Sequence, residues 1–144
     1  MKLQTILNRL QKLHPKEIDL SLDRVKNLCK KLGNPQNKLK YISVVGTNGK
    51  YSTIQAVRSI LKTANIVCNI YTSPHIQKIN ERFIFNDIEI SDDKLSDLLE
   101  EVENVNNGEQ ITYFEIFTAA YFYHANKFKD KINIIESGLF HRFD

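Results

Sequence analysis

Apolar residues recur along the chain at two spacings, one typical of amphipathic helices and the other of strands. Near the start, Leu3, Ile6 and Leu10 stand three or four positions apart, as on the buried face of a helix. Farther along, short runs rich in isoleucine and valine are bounded by polar or glycine-containing turns, as buried strands are. The predicted helices cover 2–13, 21–32, 52–63, 91–105 and 112–128, and the predicted strands cover 41–45, 66–71, 132–135 and two short segments within 82–90.

The alternation of strands with helices predicts an α/β fold with a largely parallel sheet flanked by helices. We expect Ser21 and Ser91 to cap the second and fourth predicted helices, because serine is a favoured residue at the amino end of a helix. The whole chain, residues 1–144, has the length of one domain, with enough apolar residues for a core.

Composition narrows the possible partners. The formal charge of +3 is spread along the sequence, without the aromatic residues that accompany basic patches in nucleic-acid binders. Cys29 and Cys68 stand far apart and match no metal-ligand spacing, which favours reduced thiols and a cytoplasmic location. No apolar run approaches the length of a membrane span. We therefore expect neither nucleic acid nor a membrane as a partner.

The most informative segment is 41–53, which reads Y-I-S-V-V-G-T-N-G-K-Y-S-T. A predicted strand leads into a glycine turn, and the helix that follows directs its positive amino end to the same place. Gly46 and Gly49 allow backbone N–H groups to approach an anion, and Lys50 adds a positive charge for phosphate. The segment therefore predicts a nucleotide-binding loop, with ATP as the expected nucleotide.

The match to the general phosphate-loop pattern is imperfect. That pattern has four residues between its glycines and a hydroxyl directly after the lysine, whereas here two residues separate the glycines and Tyr51 follows Lys50. The alternative is a glycine turn with a solvated lysine. The residues predicted to bind ATP are Gly46, Thr47, Asn48, Gly49, Lys50, Ser52 and Thr53.

Three candidate segments follow predicted strands. The phosphate loop follows strand 41–45, Ser73 follows strand 66–71, and Glu136 ends strand 132–135. Because the carboxyl ends of parallel strands meet at one edge of a sheet, we expect these three segments to converge there.

The loop sequence G-T-N-G-K resembles that of the ATP-dependent Mur ligase family, and more narrowly its folylpolyglutamate synthase/dihydrofolate synthase branch. Four further segments resemble that branch in the expected order, and together they span most of the chain. They are 71–75 (Y-T-S-P-H), 80–83 (N-E-R-F), 111–115 (I-T-Y-F-E) and 136–139 (E-S-G-L).

The resemblance implies an incomplete Mur-ligase central ATPase domain from an enzyme that adds L-glutamate to folate or dihydropteroate. In the family, the carboxylate attacks the γ-phosphate of ATP, and the amine then displaces phosphate from the acyl phosphate. Positioning and charge neutralisation supply most of such catalysis. The resemblance places Lys50 on the β- and γ-phosphates, with His75 as a second catalytic candidate. It also implies Ser52, Ser73 and Glu136 as oxygen ligands of Mg²⁺.

Each site residue that the resemblance implies also has a purely structural alternative. Ser73 can simply shape a turn, Glu136 can be an exposed strand end, and His75 can make a structural hydrogen bond. The segment around Arg82 can be a surface hairpin, and an aromatic residue on a helix is more often part of the core.

The same resemblance also implies substrate contacts. The residues implied to bind the pterin-containing substrate are Arg82, Thr112, Phe114 and Asp144.

The chain departs from the family in two substitutions and in length. Tyr51 and the pair Phe140-His141 stand where the family has glycines. If the position of Tyr51 needs a positive φ or a close approach, we expect strain of about 1–2 kcal/mol or obstruction of Mg²⁺. At Phe140-His141, a glycine pair would allow a tight backbone passage. Family members are roughly three times longer, as expected of two-domain ligases. The glutamate-binding domain and part of the sheet are missing, so we expect strand 132–135 to lack neighbours and to form an open apolar edge.

Three interpretations remain open. The chain is either a ligase fragment that works with a complementary C-terminal fragment, or a non-catalytic remnant with weak or no nucleotide binding. The third is a small P-loop kinase, which is disfavoured because two predicted helices precede the phosphate loop and no arginine-rich lid segment is present.

Overall fold

A computed structural model describes residues 2–16, 19–128 and 130–138 of the chain. In the described part, residues 2–38 and 91–127 form one compact unit, and residues 39–90 and 128–138 form a second. The helices are α1 (Lys2–Gln11), α2 (Asp23–Lys31), α3 (Lys50–Thr63), α4 (Asp92–Asn106) and α5 (Tyr113–Ala125). The strands are β1 (Lys40–Val44), β2 (Cys68–Tyr71), β3 (Phe83–Phe85), β4 (Ile88–Glu89) and β5 (Ile132–Glu136).

The first unit is a group of four helices, in which α1 packs on α4, and α2 and α4 both pack on α5. Ser91 caps α4, since its hydroxyl accepts the N–H of Lys94 at 3.4 Å. A capping box begins α5: Thr112 accepts the N–H of Glu115, and the Glu115 carboxylate accepts the N–H of Thr112. These caps explain why the predicted starts of both helices agree with the structure to within a residue.

The second unit is built on a five-stranded sheet in the order β1-β5-β2-β3-β4. β5 runs parallel to both β1 and β2, and the hairpin β3–β4 adds two antiparallel strands beside β2. The prediction of an α/β fold with a largely parallel sheet is confirmed. The expectation that strand 132–135 lacks neighbours is wrong, because β5 pairs on both sides and forms the centre of the parallel part.

A chain of side-chain amides crosses the sheet near the start of its parallel strands. Asn69 of β2 donates to Asn133 of β5 at 3.1 Å, and Asn133 donates to the Lys40 carbonyl of β1 at 3.0 Å. The Asn69 oxygen also accepts the N–H of Asn86 at 2.8 Å, in the turn of the hairpin. Asn69 and Asn133 have no exposed surface. Because buried amides need partners, this series of hydrogen bonds favours the observed strand register over a shifted one.

Helix α3 covers one face of the sheet. Its Ile54 lies in a buried cluster with Cys68, Ile70 and Ile134 of the neighbouring strands, and Val44 packs against the same cluster. A second connection is ionic: the Arg58 guanidinium contacts the Asp87 carboxylate at 3.1 Å and donates to its carbonyl at 2.9 Å. Helix α3 is therefore fixed to the sheet at its apolar face and to the hairpin turn.

The element boundaries shift by a few residues from those predicted. Ser21 does not cap α2: Leu22 occupies the cap position, and the Ser21 hydroxyl accepts the N–H of Asp23 at 3.2 Å. The predicted helix 112–128 changes to a 3₁₀ turn after Ala125. The two short β segments predicted within 82–90 form the hairpin β3–β4 around Asn86 and Asp87, both of which have positive φ.

Candidate functional site

The carboxyl ends of β1, β5 and β2 meet at one edge of the sheet, because the three strands are parallel neighbours. The segments that follow them are the glycine loop before α3, the residues 137–138 after Glu136, and the turn that contains Ser73. The convergence expected from the strand pattern is therefore present in the structure. What each residue binds remains a prediction.

The glycine loop ends in an uncapped helix. Gly49 occupies the cap position of α3 with φ of 74°, a conformation that favours glycine, and an added Cβ there would meet no atom within 4 Å. No side chain of the described residues caps α3, whereas α4 and α5 are capped by Ser91 and Thr112. The first N–H groups of α3 thus remain available to an anion, as in phosphate-binding helices.

Lys50 extends from the start of α3 towards the end of β5. Its Nζ lies 3.4 Å from the carbonyl oxygen of Gly138, and the residue is half-buried. The ammonium group is therefore placed at the edge where the three strands end, rather than directed away into solvent. This arrangement suits a cation that neutralises phosphate, although the contact to Gly138 is long for a hydrogen bond.

The hydroxyl-bearing residues of α3 differ in their environments. Ser52 is exposed on the first turn, whereas the Thr53 hydroxyl donates to the Gly49 carbonyl at 2.9 Å. Tyr51 is 56% exposed and is absent from the residues with positive φ, so the strain considered for this position is not present. A tyrosine at this point is compatible with the helix because its side chain extends into solvent.

Ser73 and Glu136 form the second part of the site. The Ser73 N–H donates to Glu136 Oε2 at 3.1 Å, and only 7% of the Glu136 surface is exposed. The Ser73 hydroxyl is buried and has no hydrogen-bond partner in the described part of the chain. An unpartnered hydroxyl beside a carboxylate is a hard-oxygen set that fits Mg²⁺, which usually takes few protein ligands and completes its shell with phosphate and water. In the described ranges, no group of three or more His, Cys, Asp or Glu residues could hold a metal ion. A cation at this edge would therefore depend on few protein ligands.

The three residues at the end of β5 each make a different connection. Glu136 accepts the N–H of Ser73, the Ser137 N–H donates to the Val44 carbonyl at 3.0 Å, and Gly138 offers its carbonyl to Lys50. This short segment therefore contacts the end of β1, the start of α3 and the turn after β2. It is the structural centre of the candidate site.

His75 and Arg82 are held together in the turn after β2. Arg82 Nε donates to His75 Nδ1 at 3.0 Å, so the neutral imidazole carries its proton on Nε2. Burial, followed by the positive charge of Arg82, lowers the pKa of His75 below its usual value. His75 is therefore neutral near pH 7 and can offer an N–H from Nε2, for example to a phosphate oxygen.

Sequence reasoning gave no role to Glu81 or to the Gly138 carbonyl. The Glu81 carboxylate accepts the N–H groups of Ile76, Gln77 and Lys78 at 2.8–3.0 Å, and these bonds lower its pKa. The Glu81 position at the third residue of a 3₁₀ turn, after several polar residues, is the kind of signal that predicts a cap. A backbone carbonyl gives no such signal, because every residue has one.

The remaining predicted residues are divided between the two units or lie outside the described ranges. Arg82 belongs to the second unit and pairs with His75. Thr112 and Phe114 belong to the first unit, where Thr112 caps α5. Asp144 and the pair Phe140-His141 lie outside the described residues.

A P-loop-type α/β fold with an uncapped helix after its glycine loop defines the class of this protein. No protein-family model matches the chain. A dihydrofolate synthase/folylpolyglutamate synthase of Bacillus subtilis is 42% identical over 130 residues, which are 85% of this chain and 30% of the relative. No helix in the described residues is both long and apolar enough to cross a membrane.

Solved structures agree with this similarity. Escherichia coli FolC in complex with DHPP and ADP has a TM-score of 0.88 at 32% identity, over 99% of this chain and 34% of that one. The Yersinia pestis bifunctional folylpolyglutamate synthase/dihydrofolate synthase, complexed with AMPPNP and Mn ion, has a TM-score of 0.88 at 31% identity, over 99% and 35%. The chain is therefore homologous to about a third of a folylpolyglutamate synthase/dihydrofolate synthase, and the resemblance drawn from its motifs is confirmed.

Proposed function

We propose that this chain binds ATP with Mg²⁺ and contributes to an ATP-dependent ligation of L-glutamate to folate or dihydropteroate. The observation that carries the proposal is the segment 136–138, which connects Lys50, Val44 and Ser73 at one edge of the sheet. The chain spans about a third of the relatives that it matches, so the complete ligation is proposed to require residues beyond these.

Each residue group has a separate role in the proposal. The N–H groups of the glycine loop and α3 bind the phosphates, and Lys50 neutralises their charge. Ser52, Ser73 and Glu136 hold Mg²⁺, which supplies charge neutralisation on the phosphate oxygens when bound.

The proposal includes a cytoplasmic location. Cys29 and Cys68 form no disulfide and are buried, which supports this location.

We assign contacts with the pterin-containing substrate to Arg82, Thr112, Phe114 and Asp144, on the basis of their motifs alone. The assignment of His75 is more specific, because its neutral ring presents Nε2–H for a phosphate or substrate oxygen.

The experiment is thermal unfolding of the purified chain with and without Mg-ATP. Binding at 100 times the dissociation constant adds about 2.7 kcal/mol, which gives a clear rise in melting temperature. We expect Lys50→Ala to abolish the rise, whereas Lys62→Ala, an exposed lysine in the last turn of the same helix, should retain it. The absence of a rise in a cooperatively melting wild-type chain would favour a non-catalytic remnant.

A further inference from the structure

Tyr51 is the side chain that directly follows the lysine of the glycine loop. In the general phosphate-loop pattern this position carries the small hydroxyl of serine or threonine, whereas here it carries a phenol. The residue is 56% exposed on the first turn of α3, which is the part of such a helix that faces a bound phosphate. Tyr51 therefore brings a hydroxyl to the proposed phosphate site, and packing in the core does not account for it.

The contacts of α3 determine which flank of the helix carries Tyr51. Ile54 lies in the buried cluster beneath the helix and Leu61 packs against it, so these residues mark the face that lies on the sheet. Arg58 lies on the flank towards the hairpin β3–β4, because its guanidinium contacts the Asp87 carboxylate at 3.1 Å. Tyr51 precedes Arg58 by seven residues, which are nearly two full turns, so it lies on that same flank.

This flank leads, at the amino end of α3, to the turn after β2. The Asp87 N–H donates to the Cys68 carbonyl at 2.9 Å, so the lower end of the flank lies beside the start of β2. Helix α3 begins after the carboxyl end of β1 and leads back to the start of β2, so Tyr51 lies beside the carboxyl ends of the strands. There β2 ends in the turn that contains Ser73 and His75. Tyr51 is thus on the side of the glycine loop that faces this turn.

The polar groups on the two sides suit the phosphates of a nucleotide. The first N–H groups of α3 and the Lys50 ammonium lie on one side, and the buried Ser73 hydroxyl and the Nε2–H of His75 lie on the other. A neutral phenol donates a hydrogen bond to a phosphate oxygen without changing the charge of the site. Because its side chain is longer than that of serine, Tyr51 can extend from α3 along a phosphate chain towards the turn.

We propose that Tyr51 is a further phosphate-binding residue of this chain, whose hydroxyl donates to a phosphate oxygen on the β2 side of the bound nucleotide. The inference rests on the proposed binding of Mg-ATP. It is the opposite of the expectation that a ring at this position obstructs the site, and the helical φ and exposure of Tyr51 favour it. Because the contact is with phosphate, it should contribute equally to the binding of ATP and of a triphosphate that has no nucleoside.

The experiment is isothermal titration calorimetry of the full chain with Mg-ATP and with Mg-tripolyphosphate. Tyr51→Phe keeps the ring and removes the hydroxyl, and we expect it to raise both dissociation constants about tenfold, since hydrogen bonds to charged groups are among the stronger ones. Tyr51→Ala should raise them at least as much. Tyr41→Phe is the matched control at a 58% exposed position near the start of β1, and it should leave both constants unchanged.

Three results would overturn the inference. Unchanged binding by Tyr51→Phe would show that the hydroxyl makes no contact, and tighter binding by Tyr51→Ala would show that the ring obstructs the site. A loss for Mg-ATP alone would assign Tyr51 to the nucleoside.

The wild-type chain separates this inference from the proposed function. If it binds neither ligand, both fail, whereas wild-type binding that the Tyr51 variants retain contradicts the role of Tyr51 alone. Circular dichroism shows whether each variant is folded, and Tyr51→Phe keeps the test valid if the alanine variant unfolds.

Discussion

Glu136 and Ser73 are joined by a hydrogen bond of 3.1 Å from the Ser73 N–H to Glu136 Oε2. The bond connects the end of β5, the middle strand of the parallel part of the sheet, to the turn after β2. It holds the carboxylate at the residue whose buried hydroxyl has no partner among the described residues. The position of Glu136 is therefore fixed by backbone geometry on both strands. The carboxylate of Glu136 is the group that would attract a divalent cation at this position.

We expect Glu136→Gln to separate metal binding from folding. Glutamine keeps the size and an acceptor oxygen for Ser73, but it lacks the negative charge that attracts Mg²⁺. The additional rise in melting temperature that Mg²⁺ gives over ATP alone should disappear, with little change in the unliganded protein. Glu89→Gln, at an exposed position on β4, serves as the control. An unchanged Mg²⁺ effect in the Glu136 variant would exclude the residue as a metal ligand.

The buried amide pair gives a prediction about stability. Asn69→Leu should lower the free energy of unfolding by about 1–3 kcal/mol, because the Asn133 oxygen and the Asn86 N–H lose their partner. Replacing both Asn69 and Asn133 with leucine should cost less than the sum of the single changes, by at least about 0.5 kcal/mol. Urea denaturation of the four proteins in this cycle measures the coupling. Strictly additive costs would show that the two side chains act independently.

Glu81 is expected to organise the turn that carries His75. Its carboxylate accepts three backbone N–H groups, so Glu81→Ala should increase the rate of amide hydrogen exchange at Ile76, Gln77 and Lys78. These bonds lower the pKa of Glu81 below its ordinary value of 4.5. The stabilisation is therefore present above about pH 4.5 and is lost as the pH falls through the lowered pKa.

Glu89→Ala is the matched control for this change, since Glu89 is an exposed glutamate in the neighbouring hairpin. It should leave the exchange of the three amides unaltered. Similar exchange rates in the two variants would mean that the turn keeps its structure without the Glu81 carboxylate.

His124 should make the stability of the chain decrease in mild acid. Burial, followed by the nearby charges of Lys127 and Lys94, lowers the pKa of His124 from 6.5 to about 4. Because the unfolded chain binds the proton more tightly, this contribution is complete above pH 6.5 and is lost as the pH falls towards 4. In His124→Phe, the free energy of unfolding should vary less between pH 7 and pH 4.5. A direct check is the NMR titration of the His124 ring, which should remain neutral at pH 5.5.

Local signals in the sequence predicted the elements well, because caps and side-chain spacing act over a few residues. Ser91 marked the start of α4, and the pair Asn86-Asp87 marked the hairpin turn, whereas the predicted cap at Ser21 was wrong. The order of the strands depends instead on pairing between distant segments. For that reason the sequence did not reveal that β5 lies between β1 and β2.

The candidate site was predictable only where its geometry follows from strand direction. Parallel strands place Lys50, Ser73 and Glu136 at one edge, so their convergence could be expected from the pattern. The Gly138 carbonyl near Lys50 and the N–H groups that Glu81 accepts belong to the backbone, and residue types do not encode them. The pairing of Arg82 with His75 similarly depends on a turn conformation that short motifs do not define.

The position of β5 between β1 and β2 also determines when the parallel part of the sheet can form during synthesis. β1 and β2 each pair with β5 and do not pair with each other. In the described sheet, β1 therefore has no partner strand until β5 has been synthesised. On the ribosome, only the hairpin β3–β4 and its contact with β2 can assemble early. β1 and the β5-facing side of β2 therefore have no partner strand in the described sheet until residues 132–136 are synthesised, and unpaired strand edges are the surfaces on which incomplete chains associate.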